Sequence, residues 1–307
     1  MKTYILLLVL SLTFTQNAFC QSKEVKGINS MQVKVMSYNI WNGFEWGKDK
    51  ERKEKLLAWV KKQNPDVIAL QELCAYTPEK LAADAKTWGH EHSILLKKDG
   101  YSVGLTSNAP IELKEKIREG MHHGALHCST LGIDFFVVHF SPFSYLKRRE
   151  ESKIILDKIE AVKSSNTNYI ALGDFNAASP MDADLYPSDG VLLKRMKEEN
   201  ADKPIKGNLF NGNLDYAVIS SFLAFPMIDI SQSFTSGINE RVSYPTRVFF
   251  DAEKETLEDY LGRSQRIDFI LASPELAKKC LVSKVMNKEA SYFLSDHYPV
   301  VATFQMD

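Results

Sequence analysis

The chain has 307 residues, 44% hydrophobic and 25% charged, which is enough apolar side chain for a substantial core and excludes a disordered chain. Its 38 Lys and Arg face 39 Asp and Glu, a net charge of −1. The whole molecule therefore does not attract a polyanion, and nucleic acid would have to be met by a local basic groove.

The N-terminus has the pattern of a secretory signal: Lys2, an apolar stretch from Tyr4 to Phe14, then Ala18-Phe19-Cys20 before Gln21. A signal peptide over 1–20 and export to the periplasm or the outside follow as expectations, with bulky Phe19 arguing against a lipid anchor on Cys20. That stretch is too short and too polar at its far end for a membrane span, and no other long apolar run follows. After cleavage Cys74, Cys128 and Cys280 remain, an odd set that allows at most one internal disulfide and has no CxxC spacing. They read as small buried hydrophobes.

A polar linker over 21–30 precedes one predicted domain over 31–307. Val33 and Val35 alternate with Lys34 and Met36 in the two-residue period of a strand. Lys48 to Gln63 places Leu56, Leu57, Trp59 and Val60 at helical spacing, and Asn64-Pro65-Asp66 stops it before a strand from Val67 to Leu70. A helix from Thr77 to Trp88 and a strand from Tyr101 to Thr106 follow. Leu126 to Phe140 reads as a hairpin turning at Gly132, and Lys147 to Lys163 as a helix with Ile155, Ile159 and Val162 on one face. From Pro180 to Leu261 the pattern weakens into turn residues and scattered aromatics, the mark of long loops around short elements. The hairpin rules out a purely parallel sheet, and a two-sheet sandwich with helices outside fits better.

Four apolar runs stop on a residue able to bind a metal or a phosphate: Asn39, Glu72, His139, and the Asp174-x-Asn176 pair. Two more begin that way, with Asp268 opening one run and Asp296-His297 preceding the last. Taken alone, Glu72 reads as a turn cap, Asp174-x-Asn176 as an Asx turn and His139 as a core histidine. If the first four strands share a direction and the last two oppose it, all these groups fall on one rim. Hard oxygen ligands and two imidazoles together suit metal-assisted phosphate ester hydrolysis. His122, His123, Arg148 and Arg149 are within reach of a substrate phosphate but read as solvated, and Phe143, Tyr145, Tyr244 and Phe249 are candidates to line the loop side of the cleft that read as packing aromatics.

The words Met-Ser-Tyr-Asn-Ile-Trp-Asn, Leu-Gln-Glu, Val-Val-His-Phe-Ser-Pro, Gly-Asp-Phe-Asn, Arg-Ile-Asp-Phe-Ile and Ser-Asp-His-Tyr-Pro-Val, in this order between Val33 and Phe304, resemble the endonuclease/exonuclease/phosphatase superfamily. The resemblance implies an α+β fold, a four-layer α/β/β/α sandwich of two mixed, mainly antiparallel sheets. It implies Mg2+ or Mn2+ held by Glu72, with Asn39 and Asp296 on or near it. Asp174 would orient or deprotonate the attacking water and Asn176 would hold the phosphate. His139 and His297 would stabilise the transition state or protonate the leaving oxygen, with Asp268 against His297. Abasic-site enzymes of that superfamily carry a tyrosine where His139 stands, so the likeness leans to its deoxyribonuclease and sphingomyelinase branches. The expected protein is an exported, divalent-metal-dependent phosphoesterase, its substrate left open among nucleic acid, phospholipid and sugar phosphate. A binding module on the same scaffold is the rival.

Overall fold

The computed structural model describes residues 31–201 and 207–306; the expected signal peptide, linker and Cys20 lie outside them. Two six-stranded sheets face each other. The first is ordered β13 (Cys280–Val285), β14 (Val300–Met306), β1 (Met31–Asn39), β2 (Val67–Gln71), β4 (Gly104–Ser107), β3 (His92–Leu95). The second is ordered β11 (Ile228–Asp229), β12 (Asp268–Ala272), β8 (Tyr169–Asp174), β7 (Ile133–His139), β6 (Ala125–Thr130), β5 (Glu112–Ile117), and a small ribbon pairs β9 (Leu209–Phe210) with β10 (Asn213–Leu214). Only β1 with β2 and β7 with β8 run parallel; every other pair is antiparallel. The expected α+β sandwich is therefore present.

Strands buried on both faces explain the near-continuous apolar runs. Val33 and Val35, Val67 and Ala69, Phe135 and Val137, Ile170 and Leu172, and Ile270 and Ala272 fill the space between the sheets. Their alternate neighbours Met36, Tyr38, Ile68 and Leu70 meet the helices outside the first sheet. Phe136, Val138, Ala171, Phe269 and Leu271 meet those outside the second.

Outside the first sheet lie α2 (Lys50–Gln63) and α3 (Pro78–Thr87), which follow α1 (Trp41–Gly47) in the chain. Asp49 caps α2 through the Arg52 amide at 3.0 Å, and Asn64 ends it in the left-handed region. Outside the second sheet α4 (Tyr145–Val162) buries Ile155 and Ile159. There it meets α6 (Ala217–Ala224), whose Val218, Ile219 and Phe222 join the same cluster. The weakly patterned stretch also holds α5 (Val191–Ala201).

The predicted strand at Tyr101 starts later, at Gly104: Tyr101 lines the cavity described below, and buried Ser102 turns its hydroxyl to the Lys97 amide at 3.1 Å. Cys74, Cys128 and Cys280 are all free, the first two buried. In the second sheet β8 carries one obligatory glycine: Gly173 has φ +140°, and a Cβ there would sit 2.0 Å from the Val138 carbonyl oxygen. Gly173→Ala is expected to destabilise the fold by about 3 kcal/mol or more, the upper range for a residue forced into a glycine-only region. Urea midpoints of the two proteins measure it, and an unchanged midpoint refutes it.

Candidate active site

Side chains of period two that fill the inter-sheet space continue to the strand ends, and there the residues turn polar. Asn39 follows Val33 and Val35 in the inward register, His139 follows Phe135 and Val137, and Asp174 follows Ile170 and Leu172; Asp268 precedes Ile270. Pairing sets three of them abreast, with Asp174 opposite both His139 and Asp268. Across the gap Asn39 Nδ2 donates to Asp174 Oδ2 at 3.1 Å and to Glu72 Oε1 at 3.3 Å. The Nε2 atoms of His139 and His297 lie 3.6 and 3.8 Å from the same Asp174 oxygen. The predicted residues thus meet at one end of the sandwich, and Glu72, His139, Asp174, Asn176, Asp296 and His297 all line a cavity of about 770 Å3.

Two backbone departures aim the remaining groups. Inward alternation would give Gln71 the last place on β2, but Glu72 has φ +59° and turns into the cavity instead. Its Oε2 accepts the Asn42 amide at 2.6 Å. That amide comes from α1, where Asn42 to Trp46 all have left-handed φ and ψ, a run that L-residues adopt only under constraint. Arg52 supplies the constraint: it is buried and donates to the carbonyls of Ile40, Trp41 and Leu294 at 2.9, 2.9 and 3.2 Å. Asn176, at φ +48°, gives its amide to Asp174 Oδ1 at 2.9 Å and its side-chain Nδ2 to the Phe140 carbonyl at 3.0 Å.

The two imidazoles sit in opposite environments. Burial disfavours the charge on His297, but Asp268, Asp296 and Asp174 outweigh it and hold its pKa well above the usual histidine value. Its Nδ1 donates to Asp268 Oδ2 at 2.8 Å, which leaves Nε2 toward Asp174 and the cavity. His139 has no carboxylate behind it: its Nδ1 is buried without a partner. Burial, then His123 and His297, push its pKa well below normal, so it is a neutral imidazole.

Glu72, Asp174 and Asp296 stand together at the strand ends, with Glu199 farther along the cavity lining, and burial raises Asp174 to about 8 and Asp296 to about 6. Such a set is short of positive charge and rich in hard oxygen donors, which fits a divalent cation such as Mg2+. Asp174, Asp268 and His297 bring ligand atoms within 4.8 Å of one another, yet Asp268 is spent on the imidazolium it holds. Glu72 and Asp296 are the better ligands. Asn39 Oδ1 accepts the Trp41 amide at 3.0 Å and keeps a second lone pair for a cation.

Sequence reasoning missed part of the surroundings. His123 and Arg148 were expected in solvent and are buried. The His123 ring stacks on His139 at 4.2 Å and 19°. Arg148 donates to the Ser141 carbonyl and to Asn208 Oδ1, both at 2.9 Å, while Arg149 pairs with Asp215 at 2.6 Å. Fully buried Glu151 ties the loops on either side together, accepting the His122 amide at 2.7 Å and the Ser141 amide at 2.8 Å. Of the four aromatics, Phe143, Tyr244 and Phe249 line the cavity, whereas Tyr145 packs on Phe210. The one available signal was the His-His pair itself. With no hydrogen bond at Nδ1, His139 takes its ring orientation from the stack. His123→Ala should lower kcat about tenfold, the ~1.5 kcal/mol upper worth of a ring pair, at little cost in KM. His123→Phe keeps a ring there and should keep most of the rate; steady-state kinetics with equal rates for wild type and the alanine variant would remove this role.

The chain matches the Endonuclease/Exonuclease/phosphatase family over residues 36–297. No curated relative matches it. Among solved structures it is similar to an AP endonuclease from Archaeoglobus fulgidus, with 20% identity and a TM-score of 0.61, covering 89% of this chain and 99% of that one. It is also similar to a 3' phosphatase, NExo, from Neisseria bound to product DNA hairpin, with 18% identity, a TM-score of 0.63 and the same coverage. The 3'-5' exonuclease NExo from Neisseria meningitidis gives 18% and 0.60, again over 89% and 99%. At such identities the solved structures speak for the fold, whereas the family match spans both Asn39 and His297. The chain belongs to the endonuclease/exonuclease/phosphatase family, whose members hydrolyse phosphate ester bonds.

Proposed function

We propose that this protein is an exported, divalent-metal-dependent phosphodiesterase that hydrolyses its substrate by in-line attack of water. The observation that carries the reading is the row of Asp268, Asp174 and His139 across three paired strands, with His297 Nε2 and Asn39 Nδ2 converging on the middle carboxylate. Export rests on the Lys2 to Cys20 pattern alone.

A phosphodiester is already an anion, so attack by water requires its equatorial oxygens to be neutralised. Asp174 accepts a proton from the water as its oxygen bonds to phosphorus. The opposite ester bond breaks, and the leaving oxygen takes a proton from the imidazolium of His297. Neutral His139 donates a hydrogen bond from Nε2, and Asn176 offers its remaining amide hydrogen. Glu72 and Asp296 would hold Mg2+ or Mn2+, which when bound withdraws charge from the phosphate oxygens.

Hydrolysis of bis(p-nitrophenyl) phosphate with Mg2+ or Mn2+, abolished by a chelator and by Glu72→Ala, tests this; metal-independent turnover, or none at all, refutes it. A second measurement needs no turnover. With folded pKa values of about 8 and 6 against 3.8 unfolded, Asp174 and Asp296 hold protons in the native state that the unfolded chain has released. The metal-free protein therefore loses stability as pH rises through that window. A cation takes the place of those protons. Millimolar Mg2+ should raise Tm more at pH 8 than at pH 5, the added stability reaching up to ~3 kcal/mol at a hundredfold excess over Kd. An equal rise at both pH values contradicts carboxylate ligation.

A further inference from the structure

Two rows of rings run outward from the two site imidazoles. From His297 the row passes to Tyr244 at 4.8 Å, Phe249 at 6.3 Å and Trp41 at 5.3 Å. From His139 it passes to His123 at 4.2 Å, His122 at 4.3 Å and Phe143 at 5.4 Å. Each row carries an exposed phenyl at the cavity mouth, Phe249 at 38% and Phe143 at 43%. Between the rows stand the carboxylates where the phosphorus of a diester would lie. A diester has two ester arms, and the cavity offers each one a wall of ring faces and edges.

Charge along the same cavity argues against a long polyanion. Among the described residues its lining holds four carboxylates, Glu72, Asp174, Glu199 and Asp296, and three arginines. Each arginine is already engaged: Arg148 by Ser141 and Asn208, Arg195 by Glu199 at 2.8 Å and Arg263 by Glu255 at 2.6 Å. Lys97 and Lys147, whose charge reaches His122, are not in the lining, and Lys147 pairs with Glu150 at 2.9 Å. Duplex recognition needs several phosphates neutralised by Lys and Arg, whereas stacking on aromatic rings tolerates any flat group. The volume of about 770 Å3 is that of a pocket for a small molecule.

Resting on the phosphodiesterase reading, we infer that the substrate is a compact diester with a single phosphate and a planar ring on each arm, the chemistry of a dinucleoside monophosphate. The phosphate sits among Glu72, Asp174 and the two imidazoles, one ring lies toward Phe249 and Trp41, and the other toward Phe143 and His122.

The test uses the full chain with Mg2+, bis(p-nitrophenyl) phosphate as the two-ring ester and methyl p-nitrophenyl phosphate as the one-ring ester. Phe143→Ala and Phe249→Ala should each lower kcat/KM for the two-ring ester about tenfold, the loss of one stacked ring. Thymidylyl-thymidine should compete with that ester, and the wild-type preference for two rings over one should shrink in both variants. A DNA duplex of about 30 base pairs should compete poorly at physiological salt. Unchanged kcat/KM in both variants, or a duplex that competes better than the dinucleoside with steep salt dependence, overturns the inference. If the wild type cleaves no diester at all, the enzymatic reading fails by itself. Calorimetric binding of thymidylyl-thymidine to wild type and to both variants then still decides the ring-binding claim: equal or absent binding sinks it.

Discussion

Asp174→Asn is expected to lower kcat on a phosphodiester about a thousandfold, within the range for losing a positioned acid-base group, while leaving the protein folded. The carboxylate accepts hydrogen bonds on both oxygens, from the Asn176 amide and from Asn39 Nδ2. An amide in its place keeps the volume but opposes one donor with another. It also cannot take a proton from water. Burial raises the Asp174 pKa, so its charge costs the native state stability that a neutral amide does not. At pH 8 the metal-free variant should therefore melt no lower than wild type. A variant that keeps a tenth of the activity would remove Asp174 from the chemistry, and a collapsed circular dichroism spectrum would void the comparison, in which case Asp174→Ser repeats it.

The second large effect belongs to Asp268→Asn, which should cost about a hundredfold in kcat and reshape the pH profile. Asp268 does not touch the place of reaction; it accepts the Nδ1 proton of His297 at 2.8 Å and thereby fixes which nitrogen faces the cavity. With its folded pKa raised, His297 contributes stability that is complete below the unfolded value of about 6.5 and lost only as pH climbs through the folded one. Removing the Asp268 charge lets burial draw that pKa down. The alkaline limb of the rate profile should then move toward neutral pH, and Tm should fall most at pH 5 to 6, where wild type holds the pair in full. Identical alkaline limbs in variant and wild type would show that His297 does not act as a cation.

The site's main members were legible because each stands where an apolar run ends. A strand buried on both faces must be apolar throughout, so Asn39, His139 and Asp174 stand out as polar tips, and the inward side of the alternation carries all three to one place. The opposed directions of the strands at Asp268 and beyond His297 were legible for the same reason. Less visible was the strand Glu112–Ile117, an edge whose exposed Glu and Lys side chains give no core signal. The left-handed run after Trp41 was hidden too, because from Asn42 to Trp46 it contains only one glycine, Gly43, and is held by Arg52 from another element. Nor does anything in the weakly patterned stretch announce buried Arg266, which pairs with Asp182 at 2.9 Å and Asp229 at 2.5 Å. Asp182 also takes Arg241 at 2.8 Å. Ion pairs between loops far apart in the chain have no period, so only the folded arrangement reveals them.

Asn39 and Glu72 come from one sheet, while His139, Asp174 and Asp268 come from the other. A chain that has built each half but not yet pressed the halves together owns every chemical group and no reaction centre. Competence therefore arrives with the final closure of the apolar seam between them. A slippage of that seam by one residue would silence the protein without altering a single strand.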